Sequence, residues 1–147
     1  MNEDKEQHCE NICIIEELLR RVCFDIKKKG REILSDFNIT PPQFDALQWI
    51  LCKEELTIGE LSSILYLAPS TITDLIDRME KSELVYRIRD DKDRRVVKVR
   101  GSKKGYELLD KVLQERCTYL GSALKLMNEE DQKNFITYLE LLKNYSK

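Results

Sequence analysis

The sequence predicts a mainly α fold with a small β-wing, on three observations. Apolar residues recur every three to four positions through most of the 147 residues, the spacing that gathers them on one face of a helix. Two segments open with the same capping signature, Thr40 with Gln43 and Thr57 with Glu60, in which each partner satisfies a backbone N–H of the other. One stretch, residues 85–100, switches to alternating apolar and charged residues around the polar turn DDKD, the period of a hairpin.

The first helix is expected over about residues 7–37, broken near Gly30, with Ile12, Ile15, Leu18, Leu19, Val22, Ile26, Ile33 and Leu34 as its apolar stripe. The second starts at Pro41, a residue suited to the first helical position, and turns Phe44, Leu47, Ile50 and Leu51 inward. The third is short, from the Thr57 cap to about Leu65. After the connection YLA, Pro69 opens PSTITDLIDRMEKS, whose stripe is Ile72, Leu75, Ile76 and Met79. Two short helices joined this tightly match a helix-turn-helix. Strands follow at residues 85–89 and 95–100. Ser102 caps a long helix carrying Leu108, Leu109, Val112, Leu113, Leu120, Leu124 and Met127, and Asn128 caps the last, through Phe135, Ile136, Leu139 and Leu142. The hairpin is too small to be a domain; attached to a helix-turn-helix, it is a wing.

A chain that is 35% charged and 41% hydrophobic has enough apolar material for one domain with a core. No apolar run approaches the ~20 residues that span a bilayer, so no membrane association is expected. The polar start MNEDKEQHCEN is no secretory signal. Five cysteines without a C-x-x-C pair fit a reduced, cytoplasmic compartment. The net charge of −2 hides an asymmetry. Residues 78–104 hold 11 basic and 5 acidic residues, a balance of +6, and the rest of the chain 14 and 22, a balance of −8. A charge run alone is most often a solvated face. Set on a wing beside a helix-turn-helix, it points to a polyanion bound at one place.

The chemistry suits duplex DNA. A recognition helix enters the major groove while a wing follows the backbone or the minor groove. Arg87, Lys92, Arg94 and Arg95 supply phosphate-seeking cations, with Arg78 at the start of the basic segment, and Asp93 is expected to pair with Arg95 and hold the turn. The helix opened by Pro69 offers free N–H groups near Ser70 and Thr71. Ser70, Thr71 and Thr73 add hydroxyls for phosphates or base edges.

These stretches, ITPPQFDALQWI, TIGELSSILYLAPSTITDLIDRMEKSELVYRIRD and DRRVVKVRGSKKG, resemble the MarR-type transcriptional regulators over nearly the whole chain. The resemblance implies a single domain over residues 1–147. Its winged helix-turn-helix lies at about 40–101, with N- and C-terminal dimerisation helices at about 7–37 and 103–146. It also implies a homodimer that binds a pseudo-palindromic double-stranded DNA operator, usually as a repressor, and a small lipophilic or phenolic effector. The recognition helix matches residues 69–81, and the wing-tip Asp-x-Arg matches Asp93 and Arg95. The ligand pocket would involve the first helix, with Phe24, and the region of Phe44 and Trp49. Three positions depart from the pattern. Asp74 stands where an Arg is frequent, and could accept from cytosine N4. Ser82 and Glu83 replace a helix-ending Gly, which would loosen the turn into the wing. Gly101 replaces an apolar residue.

Several relatives implied by the resemblance sense peroxides through a first-helix cysteine, which makes Cys9, Cys13 and Cys23 candidate redox residues. Cys9 and Cys13, four apart, share a helix face; a buried inert thiol is the commoner case. His8 lies near both, but a single histidine in a terminus expected to fray needs further ligands to hold a metal, so no metal or cofactor is expected. No phosphate loop or nucleophile elbow marks an enzyme. Two rivals stay open, a cysteine-based oxidant sensor and a helical protein-interaction dimer that binds no DNA.

Overall fold

A computed structural model describes residues 2–145, with side chains from residue 7 onward. In chain order it forms α1 (Asn2–Asp36), α2 (Pro41–Lys53), β1 (Glu55–Thr57), α3 (Ile58–Leu65), α4 (Pro69–Lys81), β2 (Val85–Arg89), β3 (Val97–Gly101), α5 (Lys103–Leu124) and α6 (Glu129–Tyr145). The chain divides into two compact units, Met1–Val112 and Leu113–Lys147.

Local chemistry sets the helix starts. Thr40 Oγ1 accepts from the Gln43 N–H while Gln43 Oε1 accepts from the Thr40 N–H at 2.9 Å. Thr57 and Glu60 repeat the exchange, with the Glu60 carboxylate 2.7 Å from the Thr57 nitrogen. That backbone donor holds the Glu60 carboxyl below its ordinary range. Ser102 Oγ accepts from the Gly105 N–H at 3.0 Å, and Asn128 Oδ1 from the Asp131 N–H at 2.8 Å. Each of these caps stands where the sequence places it.

The first unit carries the core. Ile39, Phe44, Leu47, Ile50, Leu61, Ile72, Ile76, Met79, Val85 and Val99 are buried together, with Ile33 and Leu34 from the end of α1 and Val112 from α5. In the second unit α6 has no buried residue.

Several expectations need correction. α1 runs through Gly30 without a break; one interior Gly costs a long helix only about 1 kcal/mol. α1 also begins at Asn2 rather than near residue 7, so His8 stands within its helical span. The wing has a third strand: β1 pairs antiparallel with β3, giving the order β1-β3-β2. β3 begins at Val97 instead of residue 95, which lengthens the tip. α5 ends at Leu124, leaving Met127 in the connection to α6. The end of α4 is tightly closed rather than loose. The Leu84 N–H donates to the Met79 carbonyl and the Glu83 N–H to the Glu80 carbonyl, both at 2.9 Å, the paired bonds of a Schellman motif. Glu83 itself takes the left-handed conformation, φ 60°, that glycine adopts more easily. At Gly101 a Cβ would stand 1.9 Å from Leu51 Cδ2, so Leu51 fills the space an apolar side chain would need.

Candidate nucleic-acid interface

The helix-turn-helix is closed by Tyr66, left-handed at φ 54°. Ser62 straps the turn, its hydroxyl donating to the Leu67 carbonyl at 2.6 Å while its own carbonyl accepts from the Leu67 N–H. α4 then starts with Ala68 at the cap position and Pro69 next, and no side chain caps its first turn. The N–H groups of Ser70 and Thr71 therefore point outward as donors for an anion. Ser70, Thr71, Thr73 and Asp74 are exposed on the first turns, and Arg78 is exposed further along. The Thr73 hydroxyl donates to the Pro69 carbonyl at 2.9 Å, which leaves its lone pairs and methyl for an outside partner.

The wing sorts its charges. Arg87 is drawn inward: its guanidinium meets Asp77 at 2.6 Å and Glu80 beside it, joining β2 to α4. The sequence reads Arg87 as a phosphate-seeking cation, but the structure spends it on holding the recognition helix against the wing. Lys98 meets both Glu55 at 2.6 Å and Asp90 at 2.7 Å, and Arg100 meets Glu55 at 2.7 Å. Among the described residues, Arg78, Lys81, Arg89, Lys92, Arg94 and Arg95 are exposed and enter no ion pair. Paired cations thus form the base of the wing, and unpaired ones its tip and the end of α4.

The tip is built, not slack. Asp90 Oδ1 accepts from the Lys92 N–H at 2.7 Å and the Asp93 N–H at 3.3 Å. The Asp90 N–H donates to the Val96 carbonyl, and the Val96 N–H to the Asp93 carbonyl. Asp93 holds the turn as expected but by another bond, its carboxylate accepting from the backbone N–H of Arg95 at 3.0 Å rather than from the guanidinium. Asp90 is pulled down to about 2, first by the Lys98 ammonium and then by the two N–H donors. Asp90 and then Glu55 push Lys98 up, and Lys98 with Arg100 pushes Glu55 down.

The other candidate sites fare differently. Phe24, Phe44 and Trp49 differ in exposure: Phe44 is 1% exposed in the core, Phe24 is 62% exposed on α1, and Trp49 is exposed on α2. A hollow of about 310 Å³ lies among Phe37, Asn38, Ser82, Leu84, Lys104, Glu107, Leu108 and Lys111. Cys9, Cys13 and Cys23 are all exposed and free, with Cys9 and Cys13 lining a shallow surface hollow with Glu10 and Ile14. Among the described residues no cluster of His, Cys, Asp and Glu has metal-binding geometry, and no helix is long and apolar enough to cross a membrane.

Glu55, Lys98 and Arg100 are the site residues that sequence reasoning missed. The alternation along residues 97–100 marked Lys98 and Arg100 as charged strand positions, but Glu55 had only the alternation of Glu55, Leu56 and Thr57, three residues between a helix end and a cap. That is too short to declare a strand without its partner.

Comparison with known proteins places this geometry. The MarR family model matches residues 39–97. The chain is 47% identical over 122 residues to the uncharacterised HTH-type transcriptional regulator YsmB of Bacillus subtilis, covering 83% of this chain and 84% of that one. It is 32% identical to the organic hydroperoxide resistance transcriptional regulator of the same organism, over 80% of this chain and 79% of the other. A solved MarR family protein from Bacillus stearothermophilus superposes with a TM-score of 0.84 at 42% identity, covering 94% of this chain and 97% of that one.

Proposed function

The chain belongs to the MarR family of DNA-binding transcriptional regulators, and on that premise we propose that it binds a pseudo-palindromic operator as a homodimer. In this reading it represses transcription until a small lipophilic or phenolic ligand releases it. The carrying observation is the sorted charge: unpaired cations gather on the wing tip and the end of α4, beside an uncapped helix N-terminus bearing Ser70, Thr71 and Thr73. Exposed, unpaired cations beside a free helix N-terminus suit a polyanion, which a helical protein-interaction dimer would not require.

The division of labour follows from the chemistry. Lys92, Arg94 and Arg95 neutralise phosphates, while Thr73 and Asp74 face base edges. The winged helix-turn-helix occupies about residues 40–101, and the flanking helices, about 7–37 and 103–146, dimerise. Exposed apolar stripes support that role, from Ile12 to Ile26 on α1 and from Phe135 to Leu142 on α6. A variant of this reading has the release triggered by oxidation. It is favoured by the exposed thiols of Cys9 and Cys13 and by the relative named for organic hydroperoxide resistance.

The test is selection of bound sites from random duplexes, followed by a salt titration on the winner. The expected site has dyad symmetry with half-site centres about 10 base pairs apart. Affinity should fall steeply with salt, because each neutralised phosphate releases condensed counterions. Selection that returns no symmetric site, or binding indifferent to salt, overturns the reading.

A further inference from the structure

Two acidic residues, Glu55 and Asp90, sit within the most basic part of the molecule, where simple electrostatics says they should weaken DNA binding. Their geometry gives them another role. The β1–β3 register sets Glu55 opposite Arg100 and Thr57 opposite Lys98, so Lys98 and Arg100, two apart on one strand, share the face on which Glu55 lies. Glu55 takes Lys98 on one oxygen at 2.6 Å and the Arg100 Nε and Nη2 on the other at 2.9 and 2.7 Å. Lys98 carries the chain onward to Asp90 Oδ2 at 2.7 Å. The other Asp90 oxygen holds the N–H groups of Lys92 and Asp93. An unbroken line of charge-assisted bonds therefore runs from β1, directly before the α3 cap, to the tip loop that bears Lys92, Arg94 and Arg95.

We propose that Glu55, Lys98 and Asp90 are positioning residues for DNA binding: they fix the wing loop so that its unpaired cations are already aimed when the duplex arrives. Glu55, Lys98 and Asp90 are only 28%, 26% and 18% exposed, half-withdrawn from solvent and from the cations that would meet phosphate. Ion pairs near a surface add little to stability. Their worth here is in order, since a side chain or loop ordered before binding does not have to be ordered by it. Asp90 is bonded on both oxygens, to Lys98 on one and to the two backbone N–H groups on the other, so it ties strand and loop together. This inference rests on the DNA-binding reading above.

Neighbouring residues on the tip provide the test. Asp91 is exposed and enters no bond among the described residues, whereas Asp90 anchors the loop. Asp90→Asn and Asp91→Asn remove the same charge from adjacent positions. Electrostatics alone predicts that both tighten binding to operator and to scrambled DNA, by about twofold. Positioning predicts opposite signs. Asp91→Asn should tighten both. Asp90→Asn and Glu55→Gln should weaken operator binding by about tenfold, flatten its salt slope, and leave scrambled DNA bound as well as before or better.

Circular dichroism and thermal unfolding confirm that each variant is folded at the assay temperature. Should Glu55→Gln fail to fold, the Asp90 and Asp91 pair decides alone, since both lie in an exposed loop outside the core. Tightening of operator binding by Asp90→Asn, or equal weakening of it by Asp90→Asn and Asp91→Asn, overturns the proposal while the regulator reading stands. If the wild-type protein selects no DNA, the reading itself fails and the clamp goes with it.

Discussion

The winged module and the two outer helices α1 and α6 obey the same helical periodicity, yet they bury very different fractions of what it gathers. In the module every large apolar residue on the expected stripes of α2 and α4 is buried or nearly so. On α1, Ile12, Ile15, Leu18 and Val22 remain about half in water, and only the last turns, with Ile33 and Leu34, reach the core. On α6, Phe135, Ile136, Leu139 and Leu142 are all exposed. A stripe at 3.6-residue spacing says that a face is meant to be covered; it does not say by which chain. The module covers its own faces, and the outer helices leave theirs exposed, the faces that the proposed second copy would cover.

The largest effect should come from removing that cover. Each large apolar side chain that moves from half exposed to buried contributes on the order of 1 kcal/mol. The apolar residues of α6 together then rival the ~5–15 kcal/mol of a whole domain. Deletion of residues 128–147 should therefore yield aggregated or unfolded protein, and the full chain should sediment as a dimer of 17.4 kDa subunits. A well-folded monomer from the truncation, measured by sedimentation and circular dichroism, would break the contrast between the two regions.

A smaller effect sharpens it, because one substitution should change sign between the regions. At Gly105, in the first turn of α5, a Cβ would lie 2.4 Å from the Leu84 carbonyl oxygen and 3.2 Å from Leu47 Cδ1. Backbone cannot give way as a flexible side chain can. Gly105→Ala should cost about 2–3 kcal/mol and lower Tm by roughly 5–10 °C. At Gly121, late in the same helix, a Cβ meets nothing within 4 Å. Gly121→Ala should gain up to about 1 kcal/mol through helix propensity. A loss at Gly121 would mean that the partner's backbone occupies that space.

What was legible in the sequence was what is local. Caps depend on residues three apart, and Thr40, Thr57, Ser102 and Asn128 were all readable from the chain itself. The recognition helix and its exposed hydroxyls followed from Pro69 and the stripe of Ile72, Ile76 and Met79. What escaped was non-local. β1 is three residues long and exists because β3 lies beside it, more than forty residues away. Arg87 looked like its neighbours until folding brought Asp77 and Glu80 to it. Charge type is a property of sequence, but whether a charge is free is a property of the fold. Phe44 makes the same point, since a residue on an apolar stripe is packed into the core whatever else lies near it.

The smallest effect lies where the module closes its own recognition helix. Glu83 occupies the left-handed position of the Schellman turn at φ 60°, a conformation that costs a residue with a Cβ about 1–2 kcal/mol. The turn forms anyway because the fold surrounds it. The Leu84 and Glu83 N–H groups are bonded back into α4, and the Ser102 hydroxyl donates to the Glu83 carbonyl at 2.6 Å. Glu83→Gly removes the strain but gives the unfolded chain more freedom, a debit of roughly 0.5–1 kcal/mol. It also deletes the exposed Glu83–Lys104 pair at 3.3 Å, which contributes little in water. The net should be a gain below about 1 kcal/mol, a rise in Tm of roughly 1–3 °C. Glu83→Ala loses the same ion pair while keeping a Cβ at the same φ, so it isolates the backbone effect and should fall below the Gly variant. Equal melting temperatures for the two variants would show that residue 83 is not held left-handed, and that α4 ends more loosely than its bonds to Met79 and Glu80 require.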